Sequence, residues 1–362
     1  MIPIVKPYIA PKEKMMPAIE EILYSGYIAE GQAVYQFEDQ LKEFLNVPNL
    51  IATNSGTAAL HIALLLLGVT EGDEVISTAF TAEPTNTTIA LTGAKIVWGD
   101  VEQATGLLDP ISVEKKITSK TKAIVVVHYA GMVCDMDRFN TISEKYGIPI
   151  IEDAAHALGS CYLNKKIGYN SAFTCFSFQA IKHMTTVDGG ALAIRDQNLV
   201  NEAKRLRWFG LDKGVSRLKN NINRAGYKYA MNNVTATIGS VQLTEMDKVL
   251  TKHLDNGKYL DDKLSKINGV KTIPYHQNTT PSYWLYTLHV EKKSDFIKMM
   301  EANGITATEL HLRNDAHTLF AESKCALPGL DAFYKTYIHI PCGWWVSEED
   351  REYIIDIIRG GW

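Results

Sequence analysis

The sequence predicts an α/β protein, with a mostly parallel sheet covered by helices on both faces and a smaller α+β domain after it. Three observations carry this expectation. Short β-branched runs alternate with helix-like segments as far as about Met246, where the rhythm changes. The runs are short, mainly apolar and joined by helices, as in a mostly parallel sheet covered on both faces. The 362 residues also exceed what one hydrophobic core usually supports. A large domain is therefore expected over residues 1–246 and a small one over 247–362.

The elements follow in order. Leu50–Asn54 reads as a strand and Ala58–Leu67 as a helix. Strands Glu74–Ser77 and Lys95–Trp98 bracket a helix near Thr85–Leu91. Strands Ala123–His128 and Ile148–Asp153 flank a helix near Met136–Tyr146. Ala172–Phe176 and Ala191–Ile194 are two further strands, with a loop between them. Gly226–Asn233 is a polar, aromatic lead-in to a small-residue helix that ends near Leu243. Beyond it come a charged helix (Leu250–Ile267), a strand-like run (Tyr283–Val290), and helices near Asp295–Ala302 and Glu348–Ile358.

Composition narrows the function. The chain is 46% hydrophobic and 22% charged, as in ordinary globular proteins. A formal charge of −4 gives no electrostatic reason to expect nucleic acid or an anionic membrane as partner. The five cysteines form no C-x-x-C pair and have no metal-ligand spacing, so they read as reduced thiols. No cationic and apolar leader opens the chain, and the longest apolar run, Ala58–Gly68, is too short to span a bilayer. A cytoplasmic location is expected.

The most informative window is Ser177-Phe178-Gln179-Ala180-Ile181-Lys182. It follows the strand Ala172–Phe176, so Lys182 arrives just past a strand's carboxyl end, where open α/β sheets bind ligands. Apolar surroundings there lower a lysine's pKa and leave a nucleophilic amine suited to Schiff-base chemistry. Ser55-Gly56-Thr57 lies between a strand and a helix, and free N–H groups at such a helix start suit a phosphate. A threonine-capped turn would look the same. Asp153 ends its strand 29 residues before Lys182, close enough for both to reach one crevice. A carboxylate there can face a cationic heterocycle, although a helix N-cap is the common use of such an aspartate. Together a lysine, an aspartate and a glycine-plus-hydroxyl cradle compose a pyridoxal phosphate (PLP) site.

With those residues in view, the chain resembles the DegT/DnrJ/EryC1/StrS family of sugar aminotransferases, which have the fold-type I architecture of aspartate aminotransferase. The resemblance runs through Gly26–Gly31 and Phe37-Glu38, which look like the family's substrate-side N-terminal loop. It continues through Ser55–Leu60, Ile151–His156, Phe176–Gly190 and Gly226–Asn232. It implies a central sheet of the seven-stranded type. By the same resemblance Lys182 is the Schiff-base lysine and proton shuttle, and Asp153 pairs with the pyridine nitrogen. Gly56, Thr57 and Ser177 hold the phosphate, and His156 lies close to the ring. Lys228, in the Gly-Tyr-x-Tyr loop, reaches the phosphate of a second subunit, which implies a homodimer with shared sites. His311 and Arg313 lie where family members approach the substrate or the donor carboxylate.

The chain departs from the family pattern in three places. Ala82 stands where an aromatic residue often stacks on the cofactor. Lys228 and Ala230 replace the frequent Asn and Arg of the loop, and a lysine meets phosphate as a point charge rather than a planar fork. His183, next to Lys182, is an extra neighbour that we take as structural, as we do the turn Pro341–Trp345. The resemblance implies transamination from glutamate to a keto sugar, nucleotide-linked, in deoxyamino-sugar and polysaccharide or lipopolysaccharide biosynthesis. Two alternatives stand beside it: a transaminase of a free carbohydrate carbonyl such as an oxidised ulosonic acid, and a catalytically silent PLP-binding regulator. Sugar dehydration is disfavoured, because that branch has a histidine in place of Lys182.

Overall fold

The computed structural model describes residues 1–362. Seven strands form the central sheet: β1 (Leu50–Thr53), β2 (Glu74–Thr78), β3 (Lys95–Gly99), β4 (Thr121–Val127), β5 (Ile150–Asp153), β6 (Phe173–Ser177) and β7 (Gly190–Ile194). Their spatial order is β1-β7-β6-β5-β4-β2-β3. Every pairing is parallel except those of β7, which runs antiparallel between β1 and β6. This reversal decides where chemistry can sit. The carboxyl ends of β1, β5 and β6 share one edge with the amino end of β7, and Gly190 pairs with both Thr53 and Ser177.

Local sequence explains the ends of the elements. Ser55 caps the helix Gly56–Leu66 by accepting from Ala58 N–H, and Asp135 caps Met136–Tyr146 in the same way through Arg138 N–H. Gly147, at φ 66°, ends the latter helix in the left-handed conformation. β5 starts at Ile150 rather than Ile148; Pro149 has no N–H for the ladder and contributes only its carbonyl, to Ile124 N–H. The run expected as a strand from Tyr283 becomes one only at Tyr286. Before that, Ser282–Leu285 bends against the Ala130-Gly131 turn: Ser282 N–H donates to Gly131 O, and Tyr283 has φ 48°.

Two apolar cores result. The larger contains 70 buried residues around the central sheet. The smaller contains 18 and is built on an antiparallel sheet of β8 (Val270–Thr272), β9 (Tyr286–Val290) and β10 (Tyr337–Ile340). Helix Met246–Leu264 starts in the larger core with Met246 and Val249 and ends in the smaller with Leu260 and Leu264. We propose this helix as the join between domains 1–246 and 247–362. Trp284, Phe320 and Phe333 belong to the larger core although they follow the join, so the C-terminal third is packed onto the central sheet. The turn Pro341–Trp345 ties down the N-terminus, with Trp344 donating to Lys6 O and Trp345 to Pro3 O.

The N-terminal segment is fastened by buried charge. Arg207 donates to Glu38 (2.5 Å), to Glu30 (2.7 Å) and to Ala52 O (2.7 Å), and its side chain is only 2% exposed. Glu38 also accepts from Ala52 N–H at 2.8 Å. Glu30 and Glu38, met in the sequence as part of a substrate-side loop, thus anchor that loop to β1. Arg207→Ala would strand the buried Glu38 carboxylate and leave Glu30 with Lys213 alone, which typically costs about 3–5 kcal/mol. Chemical denaturation is expected to show a loss of that order, and a smaller one for the paired Arg207→Met, Glu38→Met variant.

Candidate active site

At the shared strand edge lies a cavity of about 350 Å³. Its walls include Ser55, Gly56 and Thr57 from the first turn, Asp153 and His156 from beyond β5, and Ser177 and Lys182 from beyond β6. The structure therefore brings together seven side chains and backbone groups that are far apart in sequence. A wider surface groove of about 690 Å³ lies near Lys271, His289 and Lys335, but none of those seven residues lines it.

The phosphate-cradle candidates are set by close backbone approach. A Cβ on Gly56 would lie 2.9 Å from Ser177 Cβ, and one on Gly190 would lie 2.4 Å from the carbonyl carbon of Ser55. Only glycine lets the helix start, β6 and β7 converge in this way. Gly56 and Thr57 open the helix, so their N–H groups have no carbonyl one turn back to bond. With Ser177 beside them, those donors form an anion site.

Asp153 is almost fully buried. Its Oδ2 accepts from Thr85 Oγ1 at 2.7 Å and its Oδ1 from Ala155 N–H at 3.1 Å. Burial pushes its pKa above the ordinary carboxylate value, while the Thr85 and Ala155 hydrogen bonds and the nearby Lys182 amine act against that rise. The Lys182 amine is in turn brought down to about 8 by burial, with Asp153 opposing. Its Nζ lies 4.2 Å from the centre of the Trp284 ring. A half-dry amine of that pKa is a nucleophile near neutral pH.

His156 stacks on the same indole, with ring centres 3.8 Å apart and planes at 22°. Its Nδ1 accepts from Ala130 N–H at 3.4 Å, which leaves the proton on Nε2. Burial, and after it the Lys182 charge, holds its pKa well below the usual value, so it is neutral. His311 also lines the cavity, its ring nearly parallel to that of His156 at 6.3 Å. Ala82 forms part of the wall with no aromatic side chain at that position. His183 is buried behind Lys182, paired with Ser282 O at 3.1 Å.

Two expected residues lie elsewhere. Arg313 does not line the cavity: its guanidinium is bound twice by Asp315, at 2.7 Å each, and once by Asp331 at 2.5 Å. A charge in that stretch of sequence pointed to a substrate contact, and two carboxylates close by claim it instead. Lys228 does not line its own chain's cavity either, and its Nζ rests 3.7 Å from the Trp208 ring centre. The backbone of its loop is nonetheless joined to the cradle, since Asn54 donates to Tyr229 O (2.7 Å) and to Lys228 O (3.0 Å). Sequence reading missed Thr85 and Trp284. Thr85 sits in a segment read only for an aromatic, and Trp284 in a run read only as a strand.

The residues present fit PLP. The anion site, the buried carboxylate and the low-pKa amine would suit the phosphate, the ring nitrogen and the aldehyde respectively, and the cavity has room for a single small heterocycle.

Comparison with known proteins agrees. The family model of DegT/DnrJ/EryC1/StrS aminotransferases matches residues 10–359. The spore coat polysaccharide biosynthesis protein SpsC of Bacillus subtilis is 30% identical over 359 residues, 94% of this chain and 92% of SpsC. The crystal structure of AtS13 from Actinomadura melliaura superposes with a TM-score of 0.96 at 36% identity, covering 100% of this chain and 99% of AtS13. The sugar aminotransferase CalS13 from Micromonospora echinospora gives 0.96 at 32% identity, with 100% of both chains covered. On fold, pocket and sequence alike, the chain belongs to the DegT/DnrJ/EryC1/StrS aminotransferase family and is a PLP-dependent aminotransferase.

Proposed function

We propose that the enzyme moves an amino group from glutamate to a nucleotide-linked keto sugar. One observation carries the catalytic part: a half-buried Lys182, its amine pKa brought down to about 8, shares one cavity with the buried Asp153 carboxylate. The sugar part rests on the neighbours, among them a sugar aminotransferase and a polysaccharide biosynthesis protein.

When bound, PLP supplies an electron sink for the pair released as the donor's Cα–H bond breaks. The protein's own groups do the rest. Asp153 stays ionised against the protonated ring nitrogen, and Thr85 and Ala155 N–H fix the orientation of its two oxygens. Gly56, Thr57 and Ser177 would hold the phosphate. Lys182 Nζ, the one amine in the cavity wall, would hold the cofactor's aldehyde carbon at rest and, once free, would serve as the base that carries the donor's proton. His156, with its proton on Nε2, would be a hydrogen-bond donor to the ring.

The working unit in this reading is a cytoplasmic homodimer with shared sites. The apolar side chain of Val187, 60% exposed next to the cavity-lining Asp188, supports it. So does Lys228, which points away from its own cavity while its backbone is fastened to the cradle. We assign Lys228 to the phosphate of the partner subunit's cofactor.

Purified enzyme is expected to be yellow, and glutamate to bleach that colour, which also separates an enzyme from a silent binder. Lys182→Ala should abolish both the yellow absorbance and turnover; a variant with full turnover would refute Lys182 as the nucleophile. Asp153→Asn should keep the fold, read by circular dichroism, and cut kcat severely. Unchanged kinetics would remove Asp153 from the mechanism. Incubation with a panel of keto sugars and ¹⁵N-glutamate, read by mass spectrometry, tests the acceptor class: label appearing only in free carbohydrates would overturn the nucleotide-linked assignment.

The shared site has its own test. A charge-assisted bond is worth roughly 1.5–3 kcal/mol, so Lys228→Ala should weaken PLP retention about ten- to a hundredfold. Mixing inactive Lys182→Ala subunits with Lys228→Ala subunits should then restore activity. One site of each mixed dimer carries both lesions and the other carries neither. If Lys228 acted within its own chain, every site would stay damaged and no activity would return.

A further inference from the structure

Trp284 makes three contacts that converge on the reactive centre. Its ring centre is 4.2 Å from Lys182 Nζ, it stacks on His156 at 3.8 Å, and its Nε1–H donates to the carbonyl of Ile181 at 2.8 Å. One side chain thus touches the amine, the backbone immediately before it, and the neighbouring imidazole. It is 1% exposed, so the indole itself is shut off from solvent.

The indole is itself held firmly. A Cβ on Gly131 would lie 2.8 Å from Ser282 Oγ, 2.9 Å from Tyr283 N and 3.0 Å from Trp284 N, so the chain leading to the indole presses directly on that turn. Ala130 N–H, in the same turn, donates to His156 Nδ1. From the small core, Asp261 accepts from the hydroxyls of Tyr283 and Tyr286 at 2.7 Å each. The segment carrying Trp284 is therefore clamped between the central sheet and the small domain.

We infer that Trp284 is a positioning residue for Lys182, its indole face holding the free ammonium in place while the amine is not bonded to the cofactor. The groups facing Lys182 support the assignment. Asp153 is the single carboxylate among its charge partners, and the buried His156 and His183 and the half-buried His311, each with its pKa lowered by burial, approach it as imidazoles. The electron-rich face of the indole is the second feature that favours the ammonium. The consequence for catalysis rests on Lys182 being the reactive amine, but the contact itself does not.

The test reads the amine directly. In the full chain freed of bound PLP, the pH dependence of Lys182 acetylation by acetic anhydride, mapped by mass spectrometry, gives its titration midpoint. Trp284→Leu should lower that midpoint by about one pH unit, because the ammonium loses its π partner. If Trp284→Leu does not fold, uniform replacement of tryptophan by mono-, di- and trifluorinated tryptophan keeps the shape and drains the ring face. Lys182 should then titrate progressively lower with each fluorine. An unchanged midpoint in Trp284→Leu, or no trend across the fluorinated series, overturns the assignment. Neither readout uses turnover, so failure here is distinguishable from a failure of Lys182 as nucleophile.

Discussion

The site depends on a backbone contact with no room for a side chain. β7 runs antiparallel into the sheet and begins at Gly190, directly beneath the carbonyl of Ser55. Because that residue has no Cβ, the start of the Gly56–Leu66 helix can settle onto the sheet edge and come within contact of Ser177. A Cβ at Gly190 would force the turn off the sheet edge, since real Cβ atoms do not approach backbone carbon to 2.4 Å. The donors of Gly56 and Thr57, the hydroxyl of Ser177 and the reach of Lys182 all follow from this closure. The parallel strands then bring Asp153 and His156 to the same edge.

Within that frame, burial acts on two opposite charges at once. It raises the Asp153 pKa and lowers that of Lys182, and each charge partly offsets the other's loss of water. Neither group makes a close ion pair in the structure. Asp153 is satisfied by Thr85 and Ala155 N–H, and Lys182 rests on an aromatic face. A tight pair would have fixed the lysine as an ammonium. Held apart, it sits near its titration point at neutral pH, which a nucleophile and proton carrier requires. The stability forgone by burying these groups is the ordinary cost of a functional site.

The sheet was legible because its strands are short apolar runs with turn residues between them, and that signal is local. All seven central strands lie where those runs occur. Lys182, Asp153, Ser177 and the Gly56-Thr57 turn were legible for a related reason: each follows a strand end, and strand ends of a parallel sheet meet. What escaped was set by distant partners. Trp284 reaches Lys182 across 102 positions, and Arg207 reaches Glu38 across 169. No periodicity encodes such pairs. Arg313 shows the converse, because its charge suggested a ligand while the carboxylates of Asp315 and Asp331 had already claimed it.

Charge balance gives the shared-site reading its physical basis. Among the residues lining the cavity, Lys182 is the only lysine or arginine, against the carboxylates of Glu83, Asp153 and Asp188. A phosphate dianion added to that set meets backbone donors and a helix start, which supply partial charges only. An amino donor with two carboxylates, or a sugar diphosphate, adds further negative charge. The chain's own guanidinium nearby, Arg313, is committed elsewhere. In the shared-site proposal, further positive charge arrives from outside the cavity wall of one chain. Lys228 is suited to supply it: its backbone is tied to the cradle by Asn54, and its ammonium rests on the faces of Trp208 and Phe209, contacts weak enough to exchange for a phosphate. On that proposal, the deficit of cations on one subunit is what the loosely held lysine of a second copy would make good.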